Sequence, residues 1–440
     1  MRIKKKNKRV AVGMSGGTDS SAVAAMLVDQ GYDVIGLTAH MWKEGSRCCS
    51  LEDVERARSV CDFLDIRHYV VNAQELFTEK IVDPFVEGYA SGDTPSPCIQ
   101  CNAFIKFGFL LTRAEQLDCM AVATGHYARV EQDANGFFRL FCAKDPQKDQ
   151  SYFLHRLNQY QLERLMFPLA NLPKEKVRSY SKDRGLPIVS RGDSQDLCFI
   201  EEGKLAHFIE QRNSSVAING EIVDQNGRVV GTHKGLHHFT VGQRGGLGVA
   251  LGERMYVKRL DKENNRVEIA PRPGVSSEKC IIRDVHWINE QKEKIIRCKV
   301  RPRYGSQGSW ANVSFMSDGY AEINFEDPQF ALAPGQAAVF YKENEVNINK
   351  KNLKGRTILE LISQPRFLQA LVSSSFAYAV MSFLMTATPI SMHIHDDMTL
   401  NSTSFVIQLH IISMFLPALI TGNLIKKYGH SKIMYFGVLF

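Results

Sequence analysis

The sequence predicts an α/β chain: a doubly wound parallel sheet, then two small β-rich domains, then a C-terminal pair of transmembrane helices. Three observations predict it. Over about the first 205 residues short apolar runs alternate with stretches of helical periodicity, the grammar of βαβ units. Beyond that point the runs shorten and are separated by Gly, Asn and Asp, as in small β domains. Near the end two stretches lack any Asp, Glu, Lys or Arg, and each exceeds the roughly 20 residues that cross a bilayer.

In chain order, Arg9-Val-Ala-Val-Gly-Met14 reads as a buried strand and residues 22–28 as an apolar helix. Val34-Ile-Gly-Leu-Thr-Ala39, residues 51–64 and His68-Tyr-Val-Val71 repeat strand, helix, strand, and residues 104–117 are helical. Met120-Ala-Val-Ala-Thr-Gly-His126 is a strand leading into a Gly-His turn. Ligands of such sheets sit at the C-terminal ends of the strands, which gathers residues 13–21, Ala39 and Gly125 around one pocket. The β-like runs include Gly220-Glu-Ile-Val223, residues 254–259, Arg266-Val-Glu-Ile-Ala270 and the block 300–341, with Pro334-Gly-Gln336 near its end. The domains expected are 1–205, 206–275 and 276–345, a basic linker 346–366, and a membrane segment 367–440 with spans at about 367–390 and 404–425 and a partial third from 433.

A 440-residue chain that is 44% apolar can bury several cores, which excludes a disordered protein. The net charge is +7, and Arg2, Lys4, Lys5, Lys6, Lys8 and Arg9 crowd the N-terminus. That suits a polyanion such as RNA, or serves as a solubilising tail. The charged start is unlike a signal peptide, so the ten cysteines are expected to be cytosolic thiols, where close spacing points to metal binding or catalysis. Lys350, Lys351, Lys354, Arg356 and Arg366 precede the first apolar stretch and Lys426, Lys427 and Lys432 follow the second. Both ends are therefore expected on the cytoplasmic side.

The first strand-to-helix turn reads Gly13-Met-Ser-Gly-Gly-Thr-Asp-Ser-Ser21. Gly16 and Gly17 permit close approach of an anion, while Ser15, Ser20 and the first helical N–H groups point at it. Asp19 among phosphate ligands suits Mg²⁺. An ordinary Gly-rich turn is the plain alternative. No Gly-x-x-x-x-Gly-Lys-[Ser/Thr] occurs. The string instead resembles the PP-loop of enzymes that split ATP between its α and β phosphates, as in adenine nucleotide α hydrolase-like domains.

Cys98 and Cys101 lie in Thr94-Pro-Ser-Pro-Cys-Ile-Gln-Cys-Asn102, and Cys198 in Ser194-Gln-Asp-Leu-Cys-Phe199. Others, such as Cys61, Cys119 and Cys142, read as core or surface thiols. Cys101 and Cys198 are expected in loops where backbone N–H groups lower a thiol pKa and the sulfur stays accessible. Adenylation makes a carbonyl oxygen a leaving group that sulfur can displace. A persulfide on one cysteine supplies the sulfur, and a second thiol releases it, leaving a disulfide.

Taken in order, the loop at 13–20, residues 94–102, Ala123-Thr-Gly-His-Tyr-Ala128, Lys148-Asp-Gln-Ser-Tyr-Phe-Leu154, residues 194–199, Phe239-Thr-Val-Gly-Gln-Arg244 and Pro334-Gly-Gln-Ala337 resemble the bacterial tRNA-specific 2-thiouridylase family over about residues 8–345. The resemblance implies ATP-dependent 2-thiolation of the wobble uridine of tRNAs for Lys, Glu and Gln, in the cytoplasm, with a persulfide carrier protein as sulfur donor. On the matching positions Cys101 is the nucleophile and Cys198 the persulfide carrier, able to form a disulfide with each other. Gly13, Met14, Ser15, Gly16, Gly17, Thr18, Asp19, Ser20, Ala39 and Gly125 line the ATP site. Residues 94–102 surround the target base, and His126, Lys148, Asp149, Gln150, Arg303, Tyr304 and Gln336 contact tRNA.

Two departures stand out. Where many members carry Asp three residues before the nucleophile this chain has Cys98, so a [4Fe–4S] cluster on Cys98, Cys101 and Cys198 is an alternative to the relay. The family normally ends near residue 345, whereas residues 366–440 resemble the start of a major facilitator transporter, either a tether to the inner membrane face or a fusion without function. Other readings are a different PP-loop adenylating enzyme, such as an ammonia-using synthetase, or a membrane-bound interaction protein with a regulatory nucleotide site. The first leaves Cys101 and Cys198 without a purpose.

Overall fold

The computed structural model describes residues 8–42, 51–188, 197–289, 293–316, 319–342 and 345–346. The spans expected at 367–390 and 404–425 and the partial third from 433 lie outside the described residues. Among the described residues no helix is long and apolar enough to cross a membrane.

Five parallel strands form the first sheet: β1 (Arg9–Gly13), β2 (Asp33–His40), β3 (Arg67–Asn72), β4 (Ala121–Ala123) and a two-residue strand, Leu165–Met166, in the spatial order β3, β2, β1, β4, Leu165–Met166. The alternation of β1 explains its two covered faces. Val10 and Val12 pack with helices α1 (Thr18–Asp29) and α2 (Leu51–Phe63), while Ala11 packs with Leu110, Leu111 and Ala114 on the opposite face. Helices on both faces make the sheet doubly wound, as expected.

The opposite face is covered by two long composite helices, α3 (residues 74–90) and α4 (residues 97–116). Both contain π-wound segments, Thr78–Val82 in α3 and Cys101–Phe109 in α4. Helix α4 begins seven residues before the stretch expected from periodicity, because Pro97 at its first position presets the helical φ.

Two further sheets are β-rich. The central one pairs Gly220–Val223, Val229–His233, Met255–Asp261 and Arg266–Pro271 around Ile222, Val257, Val267 and Ile269. The last has eight strands and crosses the expected boundary at 205. Strands Ser276–Ile282, Ile295–Arg301, Ser309–Phe315, Ala321–Phe330, Val339–Lys342 and Glu345–Val346 are joined by the hairpin β5 (Ala128–Gln132) and β6 (Phe138–Cys142). Glu345 and Val346 pair antiparallel with Phe141 and Leu140, and Arg139 clamps the seam by bonding both Glu345 and Asp133 at 2.9 and 2.8 Å.

Candidate active site

The phosphate loop is built where β1 stops. Met14 N–H donates to Leu37 O, holding the loop on β2, and Gly16 turns the chain at φ +69°. A Cβ there would lie 2.7 Å from Asp53 O, so glycine is required twice over. Ser20 and Ser21 hydroxyls donate to Gly17 O, and Ser15 N–H donates to Ser20 Oγ. Gly17 caps α1 without a side chain, which leaves the entrance of the helix to an anion.

Asp19 is anchored. Lys174 Nζ lies 2.7 Å from Asp19 Oδ2, and Tyr127 OH donates to Oδ1 at 3.1 Å. A Mg²⁺ ion would share this carboxylate with a buried lysine. Lys174 is only 5% exposed, and the sequence reading missed it because nothing in Leu172-Pro-Lys174 announces burial. Gly125 presses on the same loop, since a Cβ there would stand 2.7 Å from Asp19 Cβ. Ala39 is buried near the end of β2, beside Thr38, whose hydroxyl donates to Met14 O. Glycines at the close approaches, hydroxyls beside the helix entrance and a buried cation fit a nucleotide's phosphates.

Cys198 lies in a turn, as expected, but Cys101 is placed differently from expectation. Cys98 and Cys101 stand on α4, not in a loop, and Cys101 is 7% exposed. Burial pushes the Cys101 thiol up to about 12, with Lys106 opposing and Cys198 and Cys98 reinforcing the rise. Cys98 presents an edge to solvent, yet burial of its sulfur and then Cys198 raise it too. For Cys101 the expected lowering by loop N–H groups is therefore corrected: desolvation wins over any dipole at the helix start. Cys198 is half-buried and packs against the same core as Cys101, and it lies within electrostatic reach of both Cys98 and Cys101, which precede it by about a hundred residues. The π-wound segment begins at Cys101 and contains Lys106, five residues on, whose charge reaches the Cys101 thiol.

Next to Cys101, Asn102 Nδ2 donates to Phe153 O at 3.1 Å. Asn102 Oδ1 and Gln100 Oε1 are buried with no hydrogen-bond partner among the described residues, two acceptors unspent beside the thiols. His126 lies between Phe107 and Phe167, its Nδ1 2.9 Å from Thr124 Oγ1. Burial first, then Lys106, holds its pKa well below the usual value. It is a neutral ring at pH 7. The Gly125-His126 turn thus touches the phosphate loop with one residue and the thiol helix with the next.

The expected RNA contacts divide. Arg303 and Tyr304 are exposed, and the Tyr304 ring stacks 4.4 Å from Phe153. Lys148 is half-buried. Asp149 is turned inward: it accepts from Ala143 N–H, Ser151 N–H, Ser151 Oγ and Arg301 Nη1 with its side chain 3% exposed. Direct contact is corrected to an internal knot that fixes its neighbours. Gln150 exchanges bonds with Tyr127, and Gln336 Nε2 donates to Thr94 O.

Among the described residues one group of three metal-type side chains brings its ligand atoms close together. Glu210, His237 and His238 place theirs within 4.8 Å of one another. A metal-bound imidazole anchors its other nitrogen, but buried His237 Nδ1 has no partner among the described residues. The 2.9 Å bond between His237 Nε2 and Glu210 makes this a clamp between helix Leu205–Arg212 and the turn Leu236–His238 that follows the strand Val229–His233.

A doubly wound sheet with this loop and three neighbouring thiols defines a nucleotide-using enzyme of the PP-loop class. Family models match in series: a tRNA methyl transferase HUP domain over residues 8–202, a tRNA methyl transferase PRC-barrel domain over 206–271 and an aminomethyltransferase beta-barrel domain over 277–346. The chain is 41% identical to the tRNA-specific 2-thiouridylase MnmA of Geotalea uraniireducens, covering 78% of this chain and 94% of that one. It is 42% identical to MnmA 1 of Thermoanaerobacter pseudethanolicus, covering 77% and 96%. The chain belongs to the tRNA-specific 2-thiouridylase MnmA family. A solved NMN synthetase from Francisella tularensis aligns loosely, with TM-score 0.28 and 16% identity over 48% of this chain and 78% of that one.

Proposed function

We propose that the chain is a tRNA-uridine 2-sulfurtransferase, acting on wobble uridine 34 of tRNAs for Lys, Glu and Gln. The observation that carries this reading is the Gly125-His126 turn, which joins the loop for ATP to the helix of Cys98 and Cys101. ATP is a substrate, and Mg²⁺ bound with it would supply charge to its phosphates. Residues 13–20, with Ala39 and Gly125, hold the nucleotide so that its α phosphorus meets the C2 oxygen of the base, and pyrophosphate leaves. Residues 94–102 enclose that base. Cys198 carries a persulfide received from a carrier protein, and its terminal sulfur adds to C2 as AMP departs with the oxygen. Cys101 then attacks Sγ of Cys198, breaking the S–S bond, so that the outer sulfur stays on the base and a Cys101–Cys198 disulfide forms. A cellular thiol reduces that disulfide before the next turnover.

Cys101→Ser and Cys198→Ser, each expressed in cells lacking other copies, should abolish 2-thiouridine in nucleoside analysis of tRNA; thiolation retained in either variant removes the relay. The presence of Cys98 within the electrostatic reach of Cys198 and Cys101 favours one second reading, a [4Fe–4S] cluster on the three sulfurs with an iron left open for sulfide. Iron and acid-labile sulfide on anaerobically purified protein decide between them, and Cys98→Ser should spare thiolation in the relay and end it in the cluster reading. The catalytic domain works in the cytoplasm, the unit 276–345 binds tRNA beside the central β-rich unit 206–275, and residues 367–440 either tether the enzyme to the membrane or do nothing. Fractionation without detergent separates those two.

A further inference from the structure

The loop at 334–337 belongs to the last sheet by sequence, yet its bonds go to the segment that leads into the thiol helix. Pro334 O accepts from Thr94 N–H at 2.8 Å, and Gln336 Nε2 donates to Thr94 O, so both backbone groups of Thr94 are held by this loop. Between them Gly335, at φ +85°, lies flat on the segment: a Cβ would stand 2.8 Å from Thr94 N, 2.9 Å from Asp93 Cβ and 3.0 Å from Pro95 N. The other side of the segment is braced as closely. Asp93 N–H donates to Gly88 O, and a Cβ on Gly88 would meet Pro95 Cγ at 2.9 Å. Helix α4 starts two residues after Pro95 and carries Cys98 and Cys101.

The same loop also reaches the other wall of the site. Ala337 O accepts from Tyr152 OH at 2.8 Å, and the neighbouring Phe153 O accepts from Asn102 Nδ2. The thiol helix is therefore fixed at its entrance and beside Cys101 by contacts that both trace to residues 334–337.

We propose that Gly335 and Gln336 are positioning residues for the thiols: the loop sets the start of α4, and with it the burial of Cys101, before any RNA is bound. This goes beyond a tRNA contact at Gln336 and rests on the reading of Cys101 as the nucleophile. Gly335→Ala inserts a methyl group where neighbouring backbone leaves no room, and Gln336→Ala removes the bond to Thr94 O without steric conflict.

The test is Cys101 alkylation by iodoacetamide in the full chain without RNA or ATP, followed by peptide mass spectrometry. Both variants should alkylate Cys101 about three- to tenfold faster than the parent, because local opening exposes a buried thiol, while Cys298 in the last sheet reacts as before. In turnover assays kcat should fall with KM for tRNA unchanged in Gly335→Ala. Parental Cys101 alkylation in both variants, accompanied by weaker tRNA binding alone, would overturn the proposal and leave the loop a simple RNA contact. Faster alkylation of Cys298 as well would also overturn it, as general loosening. The alkylation result stands whether or not the chain thiolates tRNA, so failure of the activity reading and failure of the brace are told apart.

Discussion

At Cys101 two influences oppose each other: burial raises the thiol to about 12, and the Lys106 ammonium draws it down. Only the thiolate attacks an S–S bond, so in the proposed relay the lysine bears directly on rate. Lys106→Met should move the pH profile of Cys101 alkylation to higher pH and slow the reaction at pH 8 by about three- to tenfold, with Lys106→Arg restoring it; a profile that does not move would deny the lysine this influence. His126 and His155 act on stability through the same principle. Burial holds His126 well below the usual value and His155 at about 4. Below about pH 6.5 the unfolded chain takes up protons that the folded chain refuses, so stability falls as pH drops from 6.5 toward 4. Urea midpoints at pH 7 and pH 5 should show that loss, and it should be smaller in His155→Gln.

Among the elements, the loop before α1 and helix α4 bear most of the proposed chemistry, and each depends on one partner far away in sequence. Lys174→Met removes the cation from Asp19 and leaves a carboxylate beside the phosphate site; nucleotide affinity should fall about tenfold in equilibrium binding. Much of this was legible beforehand. Val10, Ala11 and Val12 announce a strand covered on both faces, and Gly16, Gly17 and Ser20 announce an anion site, because backbone geometry and local hydrogen bonding are written in adjacent residues. Helix α4 was only half legible: apolar periodicity begins at Phe104, while Pro97 to Ala103 show none, and a π-wound turn breaks the 3.6-residue period. Lys174 and Arg301 were not legible at all, and Asp149 only as an expected RNA contact, since buried ion pairs are set by tertiary contacts and their members look like surface residues in the sequence.

Across the whole molecule, the eight-stranded sheet makes the expected division at 205 a boundary in sequence but not in space. A chain ending at residue 205 leaves β6 without its partner Glu345–Val346 and exposes an open strand edge. Size-exclusion chromatography should find that shortened chain self-associated, whereas a chain ending at residue 346 should keep the seam. Tyr304 and Arg303 project from the same unit, and the positive net charge of +7 favours a polyanion. tRNA affinity should fall as salt rises, and Arg303→Ala should lower the slope of log K against log salt by about one.

The seam between β6 and Glu345–Val346 also orders events during synthesis. Arg139 and Glu345 are separated by 206 residues, which a ribosome adds in roughly 10–40 s at about 5–20 residues per second. Through that interval the hairpin has emerged with one edge bare, and the thiol helix has no brace at Thr94, because Pro334 and Gln336 have not been made. Protection of the nascent chain in those seconds falls to whatever binds unpaired strands, and the active site closes only when almost all of the enzyme portion of the chain has left the tunnel.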